Sequence, residues 1–192
     1  MEASDVLRGG KADERAAGAA GVDADRLARA DDRNRHPVKK SSSDSEMEQA
    51  YILMPRHINA DGKLFGGQLA AWIDEIAGIV ACRHARCHVV TACIDNLSFK
   101  AGAGIGDIVV LRARVDHTGH TSMEVRVDTY REDVHGTRTL MNHAYVVMVA
   151  VDGGGRPVPV PGLLIENGTQ RAEWEAATRR AELRRQRRYE GI

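Results

Sequence analysis

At 192 residues the chain can hold one domain with a real hydrophobic core plus tails. Its 27 Lys plus Arg balance 27 Asp plus Glu, so overall charge points to neither nucleic acid nor an anionic membrane. No apolar run approaches the roughly 18 residues a membrane span needs, the N-terminus lacks a charged-then-apolar signal pattern, and three cysteines make no disulfide framework, so a reducing cytoplasmic setting is expected.

Residues 1–46 are rich in Ala, Gly, Asp, Arg and Ser and read as a disordered leader, ending in the linker-like run KKSSSDS. A short helix around Asp23–Ala30 would have too few apolar residues to bury by itself. The folded domain is expected from 47 to 163. QAYILM is a β-prone first strand that Pro55 ends. A polar loop, Arg56 to Phe65, leads to a Gly66-Gly67 step and a long helix. Along that helix Leu69, Ile73, Ile76 and Val80 recur at helical spacing, while Ala70, Trp72, Ala77, Ile79 and Ala81 fill most of the remaining circumference. A helix apolar on nearly all sides is buried, yet this one carries Asp74 and Glu75, about 100° apart on the helical wheel. Acids in such a place are paired or used.

Four strand-like segments follow: 89–99, 108–117, 122–131 and 137–151. In the second and third, apolar and polar residues alternate, the mark of antiparallel strands with one buried face. The glycine-rich links AGAGIGD and DGGGRP lack a Lys-Ser/Thr ending and a following helix, so they read as turns rather than phosphate loops. PVPVPGL must run extended. Residues 164–192 form an Arg-rich helical tail with Trp174 as its main apolar anchor; its arginines suit a solvated face, or contact with phosphates. One strand, a buried helix and a meander of strands make an α+β fold whose sheet must wrap the helix.

The stretches HINADGKLFGGQLAAWIDEIAGIVACRH, VVTACIDNLSF, GHTSMEV and PVPVPGL, in this order and spacing, resemble the hotdog-fold acyl-CoA thioesterases, in particular the bacterial acyl-CoA hydrolases and the animal brain-type acyl-CoA hydrolase. The resemblance implies a long central helix wrapped by a five-stranded antiparallel sheet. It also implies homodimers that assemble further into a trimer of dimers, and hydrolysis of fatty acyl-CoA to free acid and CoA. Its catalytic Asn and Asp fall on Asn59 and Asp74, which the resemblance further implies come from different subunits. No metal and no separate cofactor is expected; CoA enters only as part of substrate and product.

The residues suit that chemistry. Asp74 can act as general base or attack directly, and Asn59 can orient the water or bind the thioester carbonyl. The backbone N–H groups of Gly66 and Gly67 lie at the positive end of the helix, unpaired within it, and can hold an oxyanion. Each has a structural alternative: Asp74 paired with Arg83 or a backbone donor, Asn59 as a turn residue, the glycines as a tight helix start. At the CoA end, Arg83 and His84 either close the helix dipole or contact phosphate, and Thr121 and Ser122 either bind the nucleotide or pantetheine or shape a turn. Cys82, His84, Cys87 and His88 match no zinc spacing, and no G-x-S-x-G occurs. Two other functions compete: a non-catalytic acyl-CoA-binding regulator using the leader as a DNA-binding arm, although the leader lacks a helix-turn-helix; and a dehydratase, which would call on His57 or His84.

Overall fold

The computed structural model describes residues 38–191, apart from Asn96 and Phe99. The expected leader up to residue 37, with its short helix, lies outside the described residues. Five strands, β1 (Met47–Ile52), β2 (His88–Asp95), β3 (Ile108–Thr118), β4 (Ser122–Glu132) and β5 (Arg138–Val151), form one antiparallel sheet in the order β1-β3-β4-β5-β2. Helix α1, Gly66–Ala85, lies against its inner face, and a second helix, α2, spans Gly168–Glu190. This is the expected five-stranded antiparallel hotdog sheet around a central helix.

The alternation in β3 and β4 decides which face is inner. Leu111, Ala113 and Val115 pair through the ladder with Thr129, Val127 and Val125, which in turn face Asn142, Ala144 and Val146 of β5. All are buried, and the apolar ones join Leu69, Ile73, Ile76, Ala77 and Val80 of α1 in a single core. At roughly 25 cal/mol per Å² of buried apolar surface, this face supplies the main folding drive. The helix stops where Arg86 turns left-handed (φ 60°), its N–H closing back on Cys82 O.

Two expectations are corrected. The run read as linker is ordered from residue 38 onward. Ser41 caps the 3-10 turn Ser42–Asp44 in a capping box, and the Ser42 hydroxyl donates to Val115 O. Lys40 Nζ donates to His84 O at 2.5 Å, a cation on the last carbonyls of α1. Composition alone reads KKSSSDS as floppy because the groups it bonds lie 43 to 125 residues away.

Nor is the arginine face of the tail simply solvated. α2 crosses the outer face of the sheet, and Glu173, Arg180, Arg184 and Arg187 point onto it. Arg180 reaches Asp116 (3.1 Å) and Glu124 (2.5 Å) and stacks over the Tyr145 ring at 3.6 Å. Arg184 bridges Glu124 and Asp95 at 2.5 and 3.1 Å, and Arg187 reaches Asp95. Glu173 accepts from both Arg114 and Arg126 at 2.7 Å. Burial, with Glu124 beside it, holds the Asp116 carboxyl well above the usual carboxylate range.

Removing Arg180 takes from buried Asp116 its one ion-pair partner among the described residues, so Arg180→Ala should cost roughly 3 kcal/mol of unfolding free energy, against within about 0.5 kcal/mol for exposed Arg185→Ala. Urea denaturation of the two variants beside the parent protein measures the difference; equal midpoints would mean the seam contributes nothing net.

Candidate active site

The helix start, the middle of the helix and the helix end each gather a different group of the expected residues. At the start, the loop after β1 folds back on itself: Phe65 N donates to His57 O, and Ile58 bridges Leu64. Asn59 Oδ1 accepts from the N–H groups of Asp61 and Lys63, both at 3.0 Å, so the turn role of this side chain is real. With its oxygen committed to the loop, Asn59 presents the Nδ2 amide, a donor, to its exposed side. No side chain caps α1, which begins after Phe65 at Gly66 and Gly67. Its first N–H groups therefore lack a side-chain acceptor at the positive end of the helix. A Cβ on Gly67 would meet the exposed Phe65 ring at 2.6 Å, so any larger residue here would have to push that ring aside.

In the middle of the helix, Asp74 is half-buried, and its Oδ1 accepts from the Thr91 hydroxyl at 2.7 Å. The partner is Thr91, not Arg83. β2 delivers that hydroxyl from its inner face, just before a bulge. Thr91 pairs with inward-facing Met148, but Cys93, two residues on, pairs with Val147 on the other face. In a regular strand residues two apart share a face: Thr91 follows Val89 on the inner face, and the extra residue, Ala92, turns Cys93 away from the helix. Spacing along the sequence gave no sign of Thr91, but a hydroxyl set within the apolar run VVTACI was the available signal. Glu75 points elsewhere: it is exposed and accepts from the Tyr51 hydroxyl at 3.5 Å, with Tyr51 stacked on Trp72 at 4.0 Å.

At the helix end, His84 is fully buried, with Nε2 against Pro161 O at 3.1 Å. That burial takes it out of reach of a surface nucleotide and corrects its assignment to substrate. Arg83 is exposed. Thr121 and Ser122 occupy the β3–β4 turn and are half-buried. Thr121 O accepts from Ala150 N, and neighbouring His120 O accepts from Val160 N, so the turn meets the same extended segment as His84. Among the described residues no three His, Cys, Asp or Glu side chains converge as metal ligands.

Within one chain these groups remain apart. Seven residues separate Gly67 from Asp74, about 10 Å along the helix axis. A carbonyl held at the helix start lies well beyond the roughly 3 Å reach of the Asp74 carboxylate.

The model of the thioesterase superfamily matches residues 61–137. An uncharacterised acyl-CoA thioester hydrolase of Bacillus subtilis, YkhA, is 35% identical over 152 residues, 79% of this chain and 88% of that protein. The structure of a hexameric acyl-CoA thioesterase superposes with a TM-score of 0.75 at 39% identity, covering 78% of this chain and 97% of the other. An acyl-CoA hydrolase from Staphylococcus aureus, solved with butyryl-CoA, CoA and CoA disulfide, superposes with a TM-score of 0.76 at 37% identity over 80% of this chain and 94% of its own. Solved variants of that hydrolase have an Asn, an Asp and a Thr individually replaced by Ala. The chain belongs to the thioesterase superfamily.

The burial of His84 has a pH consequence. Loss of hydration pushes its imidazole below the ordinary value of 6.5, against the opposing bond to Pro161. As pH falls through about 6.5 the unfolded chain takes up this proton while the folded protein does not, so stability is lost toward acid. His84→Gln should flatten the fall in unfolding free energy between about pH 7 and pH 5, by at most about 1.4 kcal/mol per pH unit. Urea titrations at both pH values test this; an unchanged slope would assign the acid sensitivity elsewhere.

Proposed function

We propose that this member of the thioesterase superfamily hydrolyses acyl-CoA to free acid and CoA, with Asp74 as the reacting carboxylate. The observation that carries the proposal is Asp74 itself: one half-buried acid on an apolar helix, held by the Thr91 hydroxyl rather than neutralised by a cation. The spacing of the residues supports it. The three substituted positions in the Staphylococcus aureus hydrolase lie 15 and 17 residues apart, and Asn59, Asp74 and Thr91 repeat that spacing.

In this reading Asp74 takes a proton from the attacking water, or attacks the thioester carbon directly. Thr91 donates to one carboxylate oxygen and leaves the other free, fixing its direction. The charge that develops on the thioester oxygen is met by the N–H of Gly67, more than that of Gly66, at the positive end of the helix. Asn59 offers its Nδ2 donor to the same oxygen or to the water. Arg83, with Thr121 and Ser122 on the adjoining turn, suits the CoA end; His84 holds the helix end in place. Nothing favours a non-catalytic regulator.

The 10 Å between Gly67 and Asp74 implies that each site is composite. β2 is an edge strand with Val90 50% and Ile94 38% exposed, and its free backbone groups suit pairing with a second copy. A two-fold dimer of this kind, joined with two others in a trimer of dimers, would bring Asn59 and the glycines of one subunit to Asp74 of the other. Three cysteines make no disulfide framework, which suits a reducing, cytoplasmic setting. The described residues include no helix long and apolar enough to cross a membrane.

Asp74→Asn should fold normally and lose about 10²–10⁴-fold in turnover, measured as thiol release from acyl-CoA, with Glu75→Gln affected less. If a folded Asp74→Asn enzyme kept near-normal turnover, the assigned carboxylate would be wrong. Co-expression of Asn59→Ala with Asp74→Asn tests the composite site. Random mixing makes about half the dimers mixed, each with one intact site, so roughly a quarter of parental activity should return. Were both residues drawn from one chain, co-expression would restore none.

A further inference from the structure

A cavity of about 370 Å³ opens beside Gly66, at the start of α1. Leu64 and Leu69 form one side and Met141 the floor, with Ala101 and Gly102 at the exposed mouth. Leu69 and Met141 are buried, so the inner end is closed by the core. The register of β4 and β5 explains the shape. Thr129 faces Asn142 but Tyr130 faces Leu140, so Met141 is the extra residue of a bulge. Its carbonyl, released from the ladder, accepts from Lys100 N at 3.0 Å, and Leu64 N donates to Ala103 O at 2.8 Å. These two bonds tie the Lys100–Ala103 segment across the cavity as its outer wall.

The lining decides which part of a thioester fits. A nucleotide needs several donors for its phosphates, and the arm that links it to sulfur carries amides that are costly to bury unpaired. Leu64, Leu69, Met141, Ala101 and Gly102 bring no polar side-chain group, and Lys100 supplies a single cation. An alkyl chain is the part that gains by entering. Gly66 belongs both to this wall and to the uncapped helix start, so a carbonyl bound there has its acyl side at the opening.

We infer that this cavity takes the acyl chain, and that Gly102 at the mouth and Met141 at the floor set the length accepted. The inference rests on the proposed hydrolysis of acyl-CoA. The volume lies near the lower end of the range for small-molecule sites, about 300–1,000 Å³, which suits short and medium chains rather than long ones.

The experiment measures kcat/KM of the full chain for straight-chain acyl-CoAs from acetyl to palmitoyl. In the parent enzyme each added methylene should raise kcat/KM by about fourfold until the floor is reached, after which it stops rising. A Cβ at Gly102 would lie 3.6 Å from Lys63 Cδ, an ordinary contact, so Gly102→Leu should fold and narrow the mouth. It should lower the ratio of octanoyl to acetyl kcat/KM at least tenfold. Met141→Ala deepens the floor and should move the optimum to longer chains. If Met141→Ala does not fold, Gly102→Leu alone decides. A parent enzyme that hydrolyses acyl-CoA while Gly102→Leu changes every chain length by one common factor would overturn the pocket and leave the proposed hydrolysis standing. A folded parent enzyme inert toward the whole panel would overturn both.

Discussion

The fold depends on a helix that is apolar around most of its circumference. α1 gains nothing by resting one stripe on a flat sheet; Leu69, Ile73, Ile76, Ala77 and Val80 are all essentially without solvent contact. A five-stranded sheet with a right-handed twist covers such a helix by curling round it. Residues that escape the wrap are then informative. Glu75 leaves it toward edge strand β1, reaching the hydroxyl of Tyr51, whose ring stacks on buried Trp72. Asp74 leaves it toward the other edge strand, β2, where it meets the Thr91 hydroxyl. The two adjacent acids thus part toward opposite edges of one sheet, Asp74 to the Thr91 hydroxyl at 2.7 Å and exposed Glu75 to the longer Tyr51 contact at 3.5 Å.

The outer face solves a different problem. Strands β3 and β4 alternate cleanly, but what alternation marks as a solvent face carries Asp116, Glu124 and Asp128, all nearly without exposure. α2 covers them, and its arginines balance them. An apolar helix of the same shape would cover a sheet at less desolvation cost, since buried pairs gain little over well-packed hydrophobes. What the charges provide is register: Arg180 against Asp116 and Glu124, and Arg184 against Glu124 and Asp95, fix α2 along the sheet in a way that sliding apolar surfaces would not. Asp95 ends β2, so the same seam also steadies the strand that carries Thr91.

Much of this was legible in the sequence, and the gaps share a cause. Period-two alternation placed β3 and β4 within a residue or so, a nearly continuous apolar run placed β5, and helical spacing placed α1, because these patterns record contact with one dominant core. Asp74 stood out because an acid conflicts with an apolar helix, the Gly-Gly step because it opens that helix, and Asn59 only through the family resemblance. Thr91 did not, since threonine is at home in a strand. Arg180 and Arg184 looked solvated because their partners lie 56 to 89 residues away. His84 looked like a helix-end cation, but Lys40, from what composition marked as linker, fills that role and leaves the imidazole neutral inside. In each case a long-range polar contact decided the outcome, and periodicity carries no information about those.

The same geometry explains why a small domain of this kind would work in pairs. The oxyanion donors must be N–H groups that a helix leaves unpaired, and these occur only in its first turn. The carboxylate must sit where apolar neighbours limit its hydration but do not bury it, and on α1 that place is two turns further on, facing β2. A rigid helix cannot bring its own first turn to its own middle. A second copy related by a two-fold axis runs its helix the opposite way, so its start can lie against this one's middle, and the arrangement then repeats at the other end without further parts. The unpaired edge of β2 is the surface on which such an axis would lie, and it is also the strand that holds Thr91 against Asp74. Pairing along that edge would therefore order the carboxylate and complete the oxyanion site together.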